Sequence, residues 1–194
     1  FSLITGLIPK QSIKDSNYLL IEGYLVTSDT TLNVGIAAIN IAHENNTRVV
    51  ITLSDPNIVS YFRDNMMKLF NKKSHIIFCN EQEALNFSQT DNLKDAEKFM
   101  KELTDMYIIT LGSKGAICFD GTNDHKISGH QVESKDFTGA GDMFLGAFMH
   151  QYIDTNILES MKFANYCASK IIQIYGAKFN NSNDYQELKK ILNH

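Results

Sequence analysis

The sequence has few cysteines and no long apolar run. Its three cysteines, Cys79, Cys118 and Cys167, lie far apart in the chain. An odd number of widely spaced cysteines argues against a disulfide framework or a cysteine-rich zinc site, and it favours a reducing compartment. The longest apolar runs, such as residues 76–79, are far shorter than the roughly 20 residues that a membrane-spanning helix needs. We therefore expect a cytoplasmic protein with no membrane partner.

Basic clusters are also missing from the sequence. Lys and Arg number 18 against 22 Asp and Glu, so the formal net charge is −4. Without a basic run or patch, we expect no nucleic-acid partner. What the sequence does have is an ordinary globular balance, with 43% hydrophobic and 21% charged residues. This apolar content is enough for the core of one domain over residues 1–194.

Short apolar strands alternate with helices along the chain. Buried strands are predicted over residues 18–22, 48–53, 74–79 and 106–111, with a hairpin over residues 116–127. Helices are predicted over residues 30–46, 56–70, 80–87, 95–105, 139–153, 156–175 and 183–192. In the helix 156–175 a core stripe is predicted at Ile157, Met161, Ala164, Ala168, Ile171 and Tyr175. Apolar strands separated by helices indicate an α/β fold of three layers with a mainly parallel sheet. Ligands of such sheets bind beyond the carboxyl ends of the strands.

The segment richest in candidate chemistry is Asp136-Phe-Thr-Gly-Ala-Gly-Asp142, which precedes a predicted amphipathic helix. Gly139 and Gly141, with Ala140 between them, leave backbone amides open to a ligand. Amides at a helix N-terminus form an anion site. A carboxylate at Asp142 could take a hydroxyl proton there while the amides stabilise charge on a moving phosphoryl group.

Two other interpretations of this segment stay open at this point. Asp142 and the glycines could simply form a tight turn and a helix N-terminus, since Asp near a helix start is common. A dinucleotide fingerprint fits poorly, because the third glycine, Gly146, is out of register and no strand leads directly into Gly139. A dinucleotide-dependent oxidoreductase is therefore a weak alternative.

A second candidate is Thr110-Leu-Gly-Ser-Lys-Gly115, which follows a predicted parallel strand. Its small residues and backbone amides could cradle the phosphates of a nucleotide, although it is not a Walker A loop. The alternative is a glycine-rich turn into the hairpin. The sequence alone does not decide between the two.

A third candidate is Asn80-Glu-Gln-Glu83, at the end of the strand 74–79. Asn80 and Glu83 are one helical turn apart, so they share a face and could hold a largely hydrated Mg²⁺. The same spacing is typical of a capping box, with Asn at the N-cap and Glu at the third helical position. The cap is the more frequent arrangement, and the two roles do not exclude each other.

Taken together, these segments resemble the ribokinase/PfkB family of carbohydrate and nucleoside kinases. The family's DTxGAGD motif is matched at 136–142, its NxxE motif at 80–83 and its TxGxxG loop at 110–115, in the same order. The resemblance covers essentially the whole chain. Softer cues at residues 22–25, 52–56 and 78–81 are most similar to the adenosine kinase-like branch.

The resemblance implies a role for each matching residue. Asp142 would be the catalytic base, and the amides of Gly139, Ala140, Gly141 and Asp142 would form the anion hole. Asn80 and Glu83 would organise Mg²⁺ and phosphates, largely through water. The nucleotide would be lined by Thr110, Gly112, Ser113 and Gly115, with Asn165 on the adenine-side helix; its neighbours Ala164 and Ala168 could equally be core residues. Many relatives also bind a monovalent cation such as K⁺ through backbone, here near Asp136 and Thr138.

The resemblance further implies an ATP-dependent kinase of a primary hydroxyl on a nucleoside or sugar. A homodimer is compatible with it, and a non-catalytic nucleotide-binding relative is the alternative. Phe137 departs from the family, which has a polar residue there; the change matters little if the ring faces the core. Relatives are longer, so we expect this chain to be a C-terminal portion that lacks their N-terminal strands and lid.

Overall fold

The structure is a computed structural model that describes residues 8–153 and 155–190. Six strands form one mixed sheet in the order β1 to β6. They are β1 (Tyr18–Glu22), β2 (Arg48–Thr52), β3 (Ser74–Asn80), β4 (Thr104–Thr110), β5 (Ala116–Phe119) and β6 (Asp124–Ile127). Strands β1 and β2 pair in parallel, as do β2 and β3, with Ile21 opposite Ile51 and Ile51 opposite Ile77. The predicted α/β fold is confirmed.

Nine helices of the described residues flank the sheet. They are α1 (Lys10–Lys14), α2 (Asp29–Glu44), α3 (Pro56–Tyr61), α4 (Arg63–Leu69), α5 (Glu81–Ser88), α6 (Leu93–Leu103), α7 (Ala140–Tyr152), α8 (Ile157–Ile171) and α9 (Ser182–Lys189). Short 3₁₀ turns cover Gly23–Thr27 and Gly112–Lys114. The end of the predicted helix 183–192 lies outside the described residues.

The helix starts follow from local capping chemistry. The Asp55 carboxylate accepts from the amides of Asn57 (2.7 Å) and Ile58 (3.2 Å), and Pro56 occupies the first helical position. Both features satisfy or remove amides that a helix start leaves without partners. The predicted helix 56–70 is in fact two helices, because Phe62 leaves helical geometry between α3 and α4.

One helix was missed, and another prediction was wrong at its C-terminal end. The five residues of α1 are too few to show a period, and this helix was missed. Helix α8 ends at Ile171 rather than at residue 175, and the chain turns through Gly176 at a φ of 90°. Tyr175 therefore does not belong to the core stripe, and its side chain is 81% exposed.

The described chain divides into two compact units. The first comprises the residues up to Ile109 together with Cys118–Asn123. Its core is built on apolar strand residues that are fully buried, among them Val49, Ile51, Ile77, Ile108 and Ile109. Burial of such side chains contributes about 1.5–3 kcal/mol each. The interpretation of residues 1–194 as one domain stays a prediction.

The second unit comprises Thr110–Ile117 and the described residues from Asp124 onward. Helices α7 and α8 pack against each other in it. The fully buried apolar side chains of these helices include Phe148, Met161, Ala164 and Ile171. This packing fixes the positions of both helices, including the start of α7. Among the described residues, no helix is both long and apolar enough to cross a membrane.

Candidate active site

One cleft of the second unit brings together most of the residues predicted to bind a nucleotide. It has a volume of about 200 Å³ and is lined by the loop after β4, by residues between 130 and 137, and by α7 and α8. The predicted residues that line it are Thr110, Gly112, Ser113, Gly115, Ala140, Gly141 and Asn165. Residues far apart in the chain therefore share one cleft, while their binding of a nucleotide stays a prediction.

The loop after β4 is held by a close approach of two backbones. Gly115 has a φ of 100°, and a Cβ atom added to it would lie 2.1 Å from the carbonyl oxygen of Ile127. On the facing segment, a Cβ at Gly129 would lie 2.1 Å from the carbonyl oxygen of Ser113. Real atoms cannot approach so closely, so only glycine fits at either position. Gly129 was not predicted as a site residue, since its only signal in the sequence is a glycine just after a short strand.

The far wall of the cleft comes from α8. Asn165 is 91% buried, being 9% exposed, and its side-chain amide donates to the carbonyl oxygen of Ser128 over 2.9 Å. Ala168 and Ile172 line the same wall, whereas Ala164 is fully buried as a core residue. Ala164 and Ala168 could each have packed in the core or lined the nucleotide site. Ala164 packs in the core, and Ala168 lines the cleft.

The start of α7 is the turn that was predicted to bind an anion, and this binding stays a prediction. Gly139 is its N-cap at a φ of 79°, and a Cβ there would lie 2.6 Å from the carbonyl oxygen of Ala177. Gly139 and Phe137 accept backbone hydrogen bonds from Met143 (2.9 Å) and Ala140 (3.1 Å). Within the described residues, the amides of Gly141 and Asp142 have no acceptor. Two N–H groups at the positive end of a helix are therefore open to an anion.

Asp142 lies in the first turn of α7 with an exposed side chain. It lines a separate cavity of about 360 Å³ whose other walls include Met143, Phe163 and Leu188. Ala140 and Gly141 line the first cleft instead. Asp142 thus lies next to the open amides, but it lines a different cavity from Ala140 and Gly141 and is not part of the lining of the first cleft. Its role as a base, which needs hydrogen-bond reach of the acceptor hydroxyl, stays a prediction.

Asp136 fixes the shape of this turn. Its carboxylate accepts from the hydroxyl (2.7 Å) and amide (2.9 Å) of Thr138 and from the amide of Gly176 (2.9 Å). These hydrogen bonds, with that of the Thr138 hydroxyl the strongest, lower the pKa of Asp136 to about 2. The side chain is therefore a structural clamp. The expected monovalent cation near Asp136 and Thr138 stays a prediction.

In the first unit, Asn80 and Glu83 form the capping box of α5. The Asn80 side chain accepts from the Glu83 amide (2.8 Å), and the Glu83 carboxylate accepts from the Asn80 amide (2.9 Å) and side chain (2.7 Å). Both carboxylate oxygens of Glu83 thus accept hydrogen bonds, and Glu83 is only 5% exposed. No group of three or more His, Cys, Asp or Glu residues suited to a metal occurs in the described chain. A magnesium ion would therefore fit here only through water or bound phosphates.

Burial shifts the titration of Glu83. Desolvation raises its pKa from 4.5 to about 7, against the opposing effect of the Asn80 amide, and the nearby Asp55 charge raises it further. A folded-state pKa above the unfolded value means that stability is highest in acid and falls as the pH rises through the folded pKa. We expect the free energy of unfolding of the wild type, relative to Glu83→Gln, to fall by on the order of 3 kcal/mol between about pH 4 and pH 8.

Urea denaturation at several pH values measures this difference. Glu81→Gln is the matched control, because Glu81 lies in the same helical turn but is only half-buried. The expectation fails if both variants follow the pH dependence of the wild type.

The ring of Phe137 does not face the core. It is 71% exposed and lines the same cleft as Gly141 and Ile172. The departure from the family's polar residue was expected to matter little only if this ring faces the core. The ring is exposed, so that condition is not met.

Comparison with known proteins places these features in a family context. The family profile described as "pfkB family carbohydrate kinase" matches residues 4–184. A ribokinase from Lactococcus lactis is 36% identical over 83 residues, which cover 42% of this chain and 28% of the relative.

Solved structures have the same fold. A probable sugar kinase from Rhizobium etli superposes with a TM-score of 0.89 at 26% identity, over 97% of this chain and 58% of that protein. A putative ribokinase II from E. coli in complex with ATP and Mg²⁺ superposes with a TM-score of 0.83 at 20% identity, over 98% of this chain and 63% of that protein. The chain therefore spans less than two thirds of these kinases.

Proposed function

The chain belongs to the pfkB family of carbohydrate kinases, whose members are phosphotransferases, and we propose that it carries the ATP-binding and catalytic part of such an enzyme. The acceptor would be a primary hydroxyl of a nucleoside or a sugar. The observation that carries the proposal is the turn at Gly139–Asp142, where two open amides adjoin both a cleft and an exposed carboxylate.

The cleft has the features that a nucleotide requires. Gly141 lines it, and a Cβ at this glycine would meet nothing within 4 Å, so the turn leaves room for a phosphate beside its amides. Apolar side chains of Val132, Phe137 and Ile172 line it as well, as is usual for a small-molecule site. Its volume of about 200 Å³ is below the roughly 300–1,000 Å³ of drug-sized ligand pockets, so it fits part of a nucleotide. The similar E. coli fold in complex with ATP and Mg²⁺ supports this ligand.

The residues suggest a direct transfer. The Asp142 carboxylate accepts the proton of the acceptor hydroxyl as that oxygen forms its bond to the γ-phosphorus. The bond from the γ-phosphorus to the bridging oxygen breaks, and ADP leaves with the electron pair. The amides of Gly141 and Asp142 stabilise the charge on the moving group. Mg²⁺, when bound, would neutralise phosphate charge. That Asn80 and Glu83 hold its water shell stays a prediction from the resemblance.

Binding is tested by thermal and chemical denaturation with Mg-ATP. At an ATP concentration 100 times its Kd, we expect the free energy of unfolding to rise by about 2.7 kcal/mol. Adenine at the same concentration is the control ligand, because it has neither the phosphates that the open amides bind nor the hydroxyl of an acceptor. No stabilisation by ATP would contradict the proposal.

Catalysis is tested separately, by ADP release with Mg-ATP and a panel of nucleosides and sugars. Nucleosides belong in the panel because of the adenosine kinase-like segments at residues 22–25, 52–56 and 78–81. Turnover of any member of the panel supports the kinase.

A second candidate is a protein that binds ATP without transferring its phosphate. It is favoured by the position of Asp142, which does not line the cleft proposed for ATP and lines another cavity instead. Stabilisation by ATP without ADP release from any acceptor would support this candidate.

A further inference from the structure

Phe137 presents an apolar ring in the cleft proposed for ATP. The residue is 71% exposed, and the cleft around it includes the apolar side chains of Val132, Ala168 and Ile172. Single exposed hydrophobic residues are common on protein surfaces and need no explanation. Phe137 differs from them because it lines a concave site beside an anion-binding turn, where a ligand would cover it.

The backbone that carries this ring is held on both sides. The carbonyl oxygen of Phe137 accepts from the Ala140 amide (3.1 Å), which begins α7. The amide of the preceding Asp136 donates to the carbonyl oxygen of Ile172 (3.3 Å), and the Asp136 carboxylate holds Thr138 and Gly176. The backbone position of Phe137 is therefore set before a ligand arrives, which lowers the entropic cost of binding.

We propose that Phe137 is a specificity-determining contact that binds the nucleoside part of the phosphate donor. This inference rests on the proposed ATP site. The phosphates are bound by amides and cations rather than by an apolar ring, so the ring can only contribute through the base or the ribose. Because every base presents a π-face, stacking on an aromatic ring is tolerant of base identity. Phe137 therefore selects nucleotides over other phosphate anions, and it does not select one base over another.

The test measures the Kd of three ligands for the wild type and for two variants. We expect Phe137→Thr to raise the Kd of ATP and of GTP about 10-fold, which corresponds to about 1.4 kcal/mol and lies within the range of base stacking. The Kd of inorganic tripolyphosphate stays unchanged, because this ligand has no nucleoside. Phe137→Tyr keeps the ring and restores the affinity for ATP. Titration calorimetry measures the Kd of each of the three ligands.

A third variant, Phe137→Trp, reports on the contact directly. The sequence contains no tryptophan, so Phe137→Trp introduces a single fluorophore into the cleft. We expect its emission to change on addition of ATP and to stay constant on addition of tripolyphosphate. Tyr61→Ala is the control for affinity, because Tyr61 is 81% exposed and is not part of the cleft lining.

The outcomes separate this inference from the proposed function. If the wild type does not bind ATP, the proposed function itself fails. If the wild type binds ATP and Phe137→Thr binds it equally well, the ring makes no contact and the inference is overturned. If Phe137→Thr weakens the binding of ATP and of tripolyphosphate by the same factor, the ring shapes the anion turn instead. That result also overturns the inference.

Discussion

Replacing Asp142 by asparagine should lower kcat by about 10²–10⁴-fold while leaving the Kd of ATP nearly unchanged. The amide side chain keeps the size of the carboxylate but cannot accept the proton of an acceptor hydroxyl. The open backbone amides of Gly141 and Asp142 remain in the variant, so phosphate binding is retained. ADP release with an accepting nucleoside or sugar measures kcat in the full-length protein, and titration calorimetry measures the Kd of ATP.

Asp184→Asn is the matched control for this variant. Asp184 is also an exposed aspartate in the first turn of a helix, here α9. Both substitutions remove a negative charge near a helix N-terminus, which costs about 0.3–1 kcal/mol of stability. Only Asp142 adjoins the anion turn, so only its replacement should affect turnover. Equal kcat values for Asp142→Asn and the wild type would remove Asp142 from the role of base.

Local rules of sequence were sufficient for much of the framework. The apolar runs over residues 48–53 and 74–79 became strands with mostly buried side chains, as expected for a sheet covered on both faces. The run over residues 18–22 also became a strand, but its prediction as a buried strand was wrong, because β1 lies at the edge of the described sheet and Leu20 is 43% exposed. The caps at Asp55 and Asn80 were also predictable, because each satisfies amides only two or three residues away.

Other features depend on contacts between distant residues and were therefore hidden in the sequence. Glycine is required at Gly129 because of the backbone of Ser113, which no local pattern reveals. The raised pKa of Glu83 follows from burial that only the folded chain provides. The exposure of Phe137 and Tyr175 depends on where α8 ends and how the chain turns after it. Motif spacing thus located the candidate site, and tertiary packing determined the direction of its side chains.

Gly115→Ala should be the most destabilising of the single substitutions considered for the nucleotide loop. Gly115 has a φ of 100°, and an added Cβ would lie 2.1 Å from the Ile127 carbonyl oxygen and 2.7 Å from the Gly129 amide nitrogen. Every obstructing atom belongs to the backbone, so a side-chain movement cannot relieve the clash. Strained dihedral angles and overpacking each cost about 1–3 kcal/mol, and together we expect a loss of about 3 kcal/mol or more in the free energy of unfolding.

Gly112→Ala, in the same loop, separates the clash from backbone strain. Gly112 also has a positive φ, 58°, but a Cβ there would meet nothing within 4 Å. Its replacement should cost about 1 kcal/mol, which is the penalty of a left-handed conformation alone. Urea denaturation of the two variants gives the difference, and the affinity for ATP should fall further in Gly115→Ala because the loop must move away from residues 127–129. Equal losses in the two variants would show that the loop yields to the added methyl group, and the close approach of the two backbones would then not determine its shape.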